Sequence, residues 1–140
     1  MNQHIFENIK NPKVFKENRL PACSDHRIFA SGEELLRGES GYRYDLNGIW
    51  KFAYSINPAS TPDGFETLNY DCKNWEDIRV PAHIQMEGYD RPHYANVAYP
   101  WDGRQDITSG EAPTAFNPVA NYVKYFTLPD SFVKDSLILR

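Results

Sequence analysis

The chain has 140 residues, room for one ordinary domain, and its 41% hydrophobic and 24% charged residues are the balance of a globular protein with a core. Nineteen acidic against fifteen basic residues leave a net charge of −4 without any Lys/Arg run that would track a phosphate backbone, so nucleic acid is excluded as a partner. Nothing approaches the roughly 18 consecutive apolar residues of a membrane span, and MNQHIFENIK lacks an apolar signal core, so a cytoplasmic protein with no membrane partner is expected.

Residues 1–45 carry charge and turn formers without a sustained period and read as an extended arm. One short helix is expected there, at SGEELLRG, with Ser31 as its cap and Gly38 as its stop. From residue 46 the texture changes. LNGIWKFAYSI opens on a turn signal and runs through aromatic and β-branched types, which predicts a strand. Phe52, Tyr54 and Ile56 recur at period two and are expected on the buried face, with Lys51, Ala53 and Ser55 on the wetter one.

NPASTPDGFE then has the composition of a turn and not of an interdomain linker. A second strand is expected around Ile78 to Val80, ended by Pro81, which has no N–H for a ladder. Residues 81–120 show neither period and read as one long loop. Such loops are either disordered or functional, and Tyr89, Tyr94, Tyr99, Trp101 and Phe116 argue for an ordered one at a surface site. NYVKYFTLPD alternates as a strand closed by Pro129, and DSLILR begins another. With about four strands and turn-rich connections, the class is all-β, a sandwich.

Cys23 and Cys72 lie in unrelated contexts and read as free thiols, and His4, His26, His83 and His93 never fall at a metal-ligand spacing. The chemistry concentrates in YANVAYPWDG, residues 94–103. A sugar presents hydroxyls at its edge and C–H bonds on its face, so its site needs an aromatic plate beside amide or carboxylate groups. Asn96 offers two donors and an acceptor, Asp102 accepts only, and Tyr94, Tyr99 and Trp101 offer faces. A second reading is that these aromatics only anchor the loop on the sandwich. Glycoside cleavage needs two carboxyl groups about 5 to 5.5 Å apart for retention. Asp77, Glu87 and Asp90 are candidates by residue type alone. Neither a GxSxG elbow nor a Gly-rich phosphate loop occurs.

Taken in order, ENIKNPKVFKENRLPACSDH, LNGIWKFAYS, WEDIRVPAHIQMEGYDRPHYANVAYPW and NYVKYFTLPD resemble the amino-terminal part of bacterial β-galactosidases of glycoside hydrolase family 2, nearly end to end. The resemblance implies an incomplete jelly-roll, galactose-binding-like β-sandwich over residues 46–140, preceded by the arm at 1–45. It also implies a complete enzyme whose TIM barrel carries the two catalytic glutamates of a retaining mechanism, so that no catalytic residue lies in this chain. The family's substrate contact falls on Asn96, with Val97 lining the galactose pocket beside it; Tyr99, Trp101 and Asp102 are read as pocket wall.

Some members hold a structural Mg²⁺ near the arm, which would correspond to Asn8, Asn11 and Val14 here. The Mg²⁺ and Na⁺ of the complete enzymes are implied elsewhere, with no cofactor in this segment. The expected partners are a galactoside such as lactose, the remainder of the polypeptide and further copies in a homo-oligomer. The alternative is a freestanding, non-catalytic carbohydrate-binding β-sandwich module.

Overall fold

The computed structural model describes residues 3–22, 24, 26–91, 96, 101, 103–132 and 137–139. Two helices, α1 (Gln3–Lys10) and α2 (Gly32–Arg37), precede three strands, β1 (Gly48–Ser55), β2 (Glu76–Val80) and β3 (Val119–Val123). Short 3₁₀ turns lie at Pro58–Ser60, Ile84–Glu87 and Asp130–Phe132. The strands form one antiparallel sheet in the order β2-β1-β3, so the fold is all-β, with α-helix among the described residues confined to two short pieces. The chain divides into two compact units: Met1–Arg19 with Asn47–Lys124, and Leu20–Leu46 with Tyr125–Arg140.

In the first unit β1 is the central strand. Its register pairs Trp50 with Ile78 and Phe52 with Glu76 on one side, and Phe52 with Tyr122 and Ala53 with Asn121 on the other. Paired residues share a face, so Trp50, Phe52, Ile78 and Tyr122 build an apolar side. Phe52 and Ile78 are its most buried members, at 1% and 2% exposure. Phe52 lies 4.5 Å from the Tyr89 ring and 4.9 Å from that of Tyr122, tilted against both as aromatic quadrupoles favour.

The opposite face corrects the expected pattern. Ser55 and Asn121 are buried there, while Ile56 is exposed. The cause is the chain reversal after Ser55: Asn57 caps the Pro58–Ser60 turn, accepting from Ser60 N at 2.9 Å, and the turn folds back so that Ser55 Oγ donates to the Ser60 carbonyl. Asn121 Nδ2 donates to the Ala53 carbonyl at 2.9 Å, so both buried polar side chains of this face, Ser55 and Asn121, are partnered. Ile56, beyond the last strand residue, has left the sheet.

β2 ends at Val80 before a cis Val80–Pro81 bond, where the sequence places its end. β3 differs from expectation. It begins two residues early, at Val119, and stops at Val123, so Tyr125 to Pro129 are not in a strand. Lys124 Nζ takes the Ile49 carbonyl at 2.9 Å, an acceptor of β1 beyond the last residue paired with β3. Leu137, Ile138 and Leu139 of DSLILR are exposed and outside any ladder, and Asp135, Ser136 and Arg140 lie outside the described residues; three strands, not four, are present among those described.

In the second unit α2 forms as its sequence predicts. Ser31 Oγ accepts from Glu34 N at 3.2 Å, and Gly38, at φ +72°, closes the helix in the left-handed conformation that glycine adopts at low cost. Glu34 reaches back to Ala30 N at 2.8 Å and out to Gly41 N at 3.3 Å. Tyr44 stacks on Phe126 at 6.0 Å and meets Phe132 edge-on at 6.2 Å. The helix α1 was not visible as a period: eight residues make little more than two turns, too few for a pattern to stand out from the charged arm.

Candidate functional site

The long loop leaves β2 at Pro81 and is anchored by aromatic packing before it departs from the sheet. After the Ile84–Glu87 turn, Gly88 at φ +96° redirects the chain and lays Tyr89 against Phe52 and, nearly parallel at 6.2 Å and 28°, against Tyr54. The Tyr89 hydroxyl donates to Glu76 Oε2. That bond holds the proton on the phenol, and with partial burial its pKa is pushed up to about 12.

Asp90 follows with φ +56°, in the left-handed region that aspartate visits more readily than most non-glycine residues. Its carboxylate lies close enough to the Tyr54 hydroxyl to act on it electrostatically. Burial raises the Tyr54 pKa, the Asp90 charge adds to that rise, and Arg104 opposes it. Arg104 in turn lies 3.7 Å over the Phe116 ring. The outgoing limb, through Asp90, and the returning limb, through Arg104, are thus both coupled to one residue of β1, Tyr54.

Polar groups fasten the returning limb further. Gln105 Oε1 accepts from Thr114 N at 2.9 Å and Ala115 N at 2.7 Å, closing residues 105–115 into a loop of their own. Asn57 Nδ2 donates to the Ala115 carbonyl, and Asn117 N donates to that of Ile56, which tie this loop to the end of β1.

Of the site residues expected from sequence, Asn96 is exposed on the loop between these limbs. Trp101 is 37% exposed and forms a wall of an open depression of about 450 Å³ with residues 103 and 105–111. Val97, Tyr99 and Asp102 lie outside the described residues, as does Tyr94. The three carboxylate candidates face different groups: Asp77 pairs with Lys51 at 2.8 Å, Glu87 with Arg79 at 3.5 Å, and the Asp90 charge acts on Tyr54. Sequence reasoning missed the positioning roles of Tyr54, Arg104 and Gln105. A polar residue inside an aromatic-rich loop was the available signal, but its partners are set by tertiary packing.

Asn8, Asn11 and Val14 lie along one surface turn. Asn8 Nδ2 donates to Glu17 at 3.4 Å, and Asn11 Oδ1 is taken by Lys13 N at 3.1 Å. The adjoining concavity is lined by Lys16 and Arg19 as well as Glu17. A hard divalent cation prefers several carboxylate oxygens, and among the described residues no three His, Cys, Asp or Glu side chains converge. These residues alone do not fit Mg²⁺.

Residues 44–140 match the family described as "Glycosyl hydrolases family 2, sugar binding domain". The chain is 45% identical over 132 residues to a "Beta-galactosidase" of Halalkalibacterium halodurans, covering 94% of this chain and 13% of that protein. It is 37% identical over 138 residues to a "Beta-galactosidase" of Streptococcus thermophilus, covering 99% of this chain and 13% of the relative. A "Beta-galactosidase large subunit" of Latilactobacillus sakei is 35% identical over 144 residues, covering 94% of this chain and 23% of its own length. The chain therefore spans less than a quarter of the length of these relatives.

Proposed function

We propose that this chain, which belongs to glycosyl hydrolases family 2 through their sugar binding domain, is the N-terminal sugar-binding segment of a retaining β-galactosidase. The complete protein cleaves terminal β-D-galactosides such as lactose, with both catalytic glutamates in polypeptide outside residues 1–140. The antiparallel sheet is the first part of a jelly-roll sandwich completed by later strands. The observation that carries this reading is the conjunction of the family match with an exposed Asn96 on a loop whose two limbs are coupled to Tyr54.

In this reading the Asn96 carboxamide donates to and accepts from galactose hydroxyls, Val97 packs against the sugar's C–H face, and Tyr99, Trp101 and Asp102 wall the site. The Tyr54 network keeps the loop at the height where the carboxamide reaches the sugar. The partners are the galactoside, the remainder of the polypeptide and further copies of the enzyme, which works in the cytoplasm. The test is nitrophenyl β-galactoside hydrolysis by residues 1–140 alone and by the complete protein. Turnover confined to the complete protein is expected; turnover by the 140 residues alone would overturn the assignment of catalysis to the rest of the chain.

A further inference from the structure

The first helix and the returning limb of the long loop, far apart in sequence but within one compact unit, meet at an ion pair. Lys10, the last residue of α1, places Nζ 3.1 Å from Glu111 Oε2 and 3.5 Å from Glu7 Oε1, one turn back on its own helix. Its side chain is only 24% exposed, so the ammonium is presented to these two carboxylates instead of ranging through solvent. The hydrogen bond it donates to Glu111 raises the Lys10 pKa, against the opposing effect of desolvation.

Glu111 is not carried on a slack segment. It closes a tight turn, its N–H donating to the Thr108 carbonyl at 3.0 Å, with Gly110 at φ +86° in the third place of the turn. Gln105 closes the base through the amides of Thr114 and Ala115 and, from Nε2, the Thr114 hydroxyl at 3.2 Å. With tip and base both closed, residues 105–115 respond as one piece, and a restraint applied at Glu111 reaches the base. There the chain runs directly into Arg104, which lies over the Phe116 ring and acts on Tyr54. The helix α1 is therefore a second anchor for this limb, separate from the one at Tyr54.

We propose that Lys10 is a positioning residue for galactoside binding: through Glu111 it straps the 105–115 segment to α1 and so holds the loop that carries Asn96 in its binding arrangement. This role rests on the galactosidase reading and deepens it, because it gives the arm helix a part in the site. Its signature lies in KM. When fewer molecules hold the loop in the competent arrangement, apparent affinity falls by that fraction, while the chemical step, assigned to glutamates outside this chain, keeps its rate. The galactoside is uncharged, so removing the ammonium acts on it through the loop and not by direct attraction. The experiment measures kcat and KM for nitrophenyl β-galactoside in the complete protein and its Lys10→Met, Lys10→Arg, Glu111→Gln and Lys10→Met/Glu111→Gln variants, together with amide exchange of peptides within 104–115.

Ion pairs near a surface are modest, so Lys10→Met and Glu111→Gln are each expected to raise KM about 2- to 5-fold with kcat unchanged and with faster exchange within 104–115. The double variant should be no worse than either single one, and Lys10→Arg should restore most of the affinity. An unchanged KM in Lys10→Met would overturn the strap while leaving the galactosidase reading intact. So would a rise in KM that Lys10→Met still causes in the Glu111→Gln background, since Lys10 would then act through its own helix. A complete protein that cleaves no galactoside would overturn the functional reading and this role with it.

Discussion

Replacing Tyr54 by Phe removes one hydroxyl from the base of the loop and leaves the ring stacked on Tyr89 at 6.2 Å. What is lost is the hydroxyl on which the Asp90 charge acts from the outgoing limb and the Arg104 charge from the returning one. A hydroxyl interacting with a charged group contributes at most roughly 1.5 to 3 kcal/mol, and because Tyr54 is only half-buried the lower end, about 1.5 kcal/mol, is the bound. Asp90 turns the chain at φ +56°, so weakening its link to Tyr54 favours release of the outgoing limb. Local opening should therefore become about tenfold more frequent. Amide hydrogen exchange in the complete protein reads this directly. Peptides covering residues 88–91 and 103–105 should lose about tenfold in protection at neutral pH, with the β1–β2 ladder unchanged. Loop protection equal to the parent's would refute the role of Tyr54 as the tie between the limbs; an equal loss in the ladder would make Tyr54 a general core residue instead.

Phe52→Ala empties the most buried position of the sheet and breaks ring contacts to Tyr89 and Tyr122, so it should destabilise this unit by about 3 to 5 kcal/mol, read as a loss of more than about a hundredfold in exchange protection along β1. For Tyr89 the raised phenol pKa means the folded protein favours the protonated form. Its contribution to stability is full below the ordinary tyrosine value of 10.0 and is lost as pH rises from there through about 12. A phenolate absorbance titration should show a late step that Tyr89→Phe abolishes and Glu76→Gln moves to lower pH; a late step that survives Tyr89→Phe would assign it to another residue.

Where local chemistry decides the conformation, the sequence was readable. Ser31 and Gly38 bound α2 because a cap and a left-handed stop act within one turn, and Pro81 ends β2 because it lacks a donor. The turn at Pro58–Ser60 was readable for the same reason. The burial of Ser55 was not, since period two assigns a face but says nothing of a segment folding back over it. The end of β3 was also hidden: alternation continues through Phe126, but pairing needs a free acceptor on β1, and Lys124 fills one of them. At the loop, residue type pointed to a sugar and aromatic content pointed to order. The coupling of Asp90 and Arg104 to a tyrosine of β1 depends on long-range packing that no spacing rule encodes.

In the proposed function the Asn96 carboxamide meets the galactose ring, and kcat/KM for nitrophenyl β-galactoside in the complete protein and its Asn96→Ala variant is the measurement that decides it. Loss of a neutral hydrogen bond of roughly 0.5 to 1.5 kcal/mol predicts a fall of about 2- to 13-fold, larger if the bond tightens in the transition state, with ladder protection unchanged because the side chain is exposed. An Asn96→Ala variant that hydrolyses the galactoside with the parent's kcat/KM would contradict it.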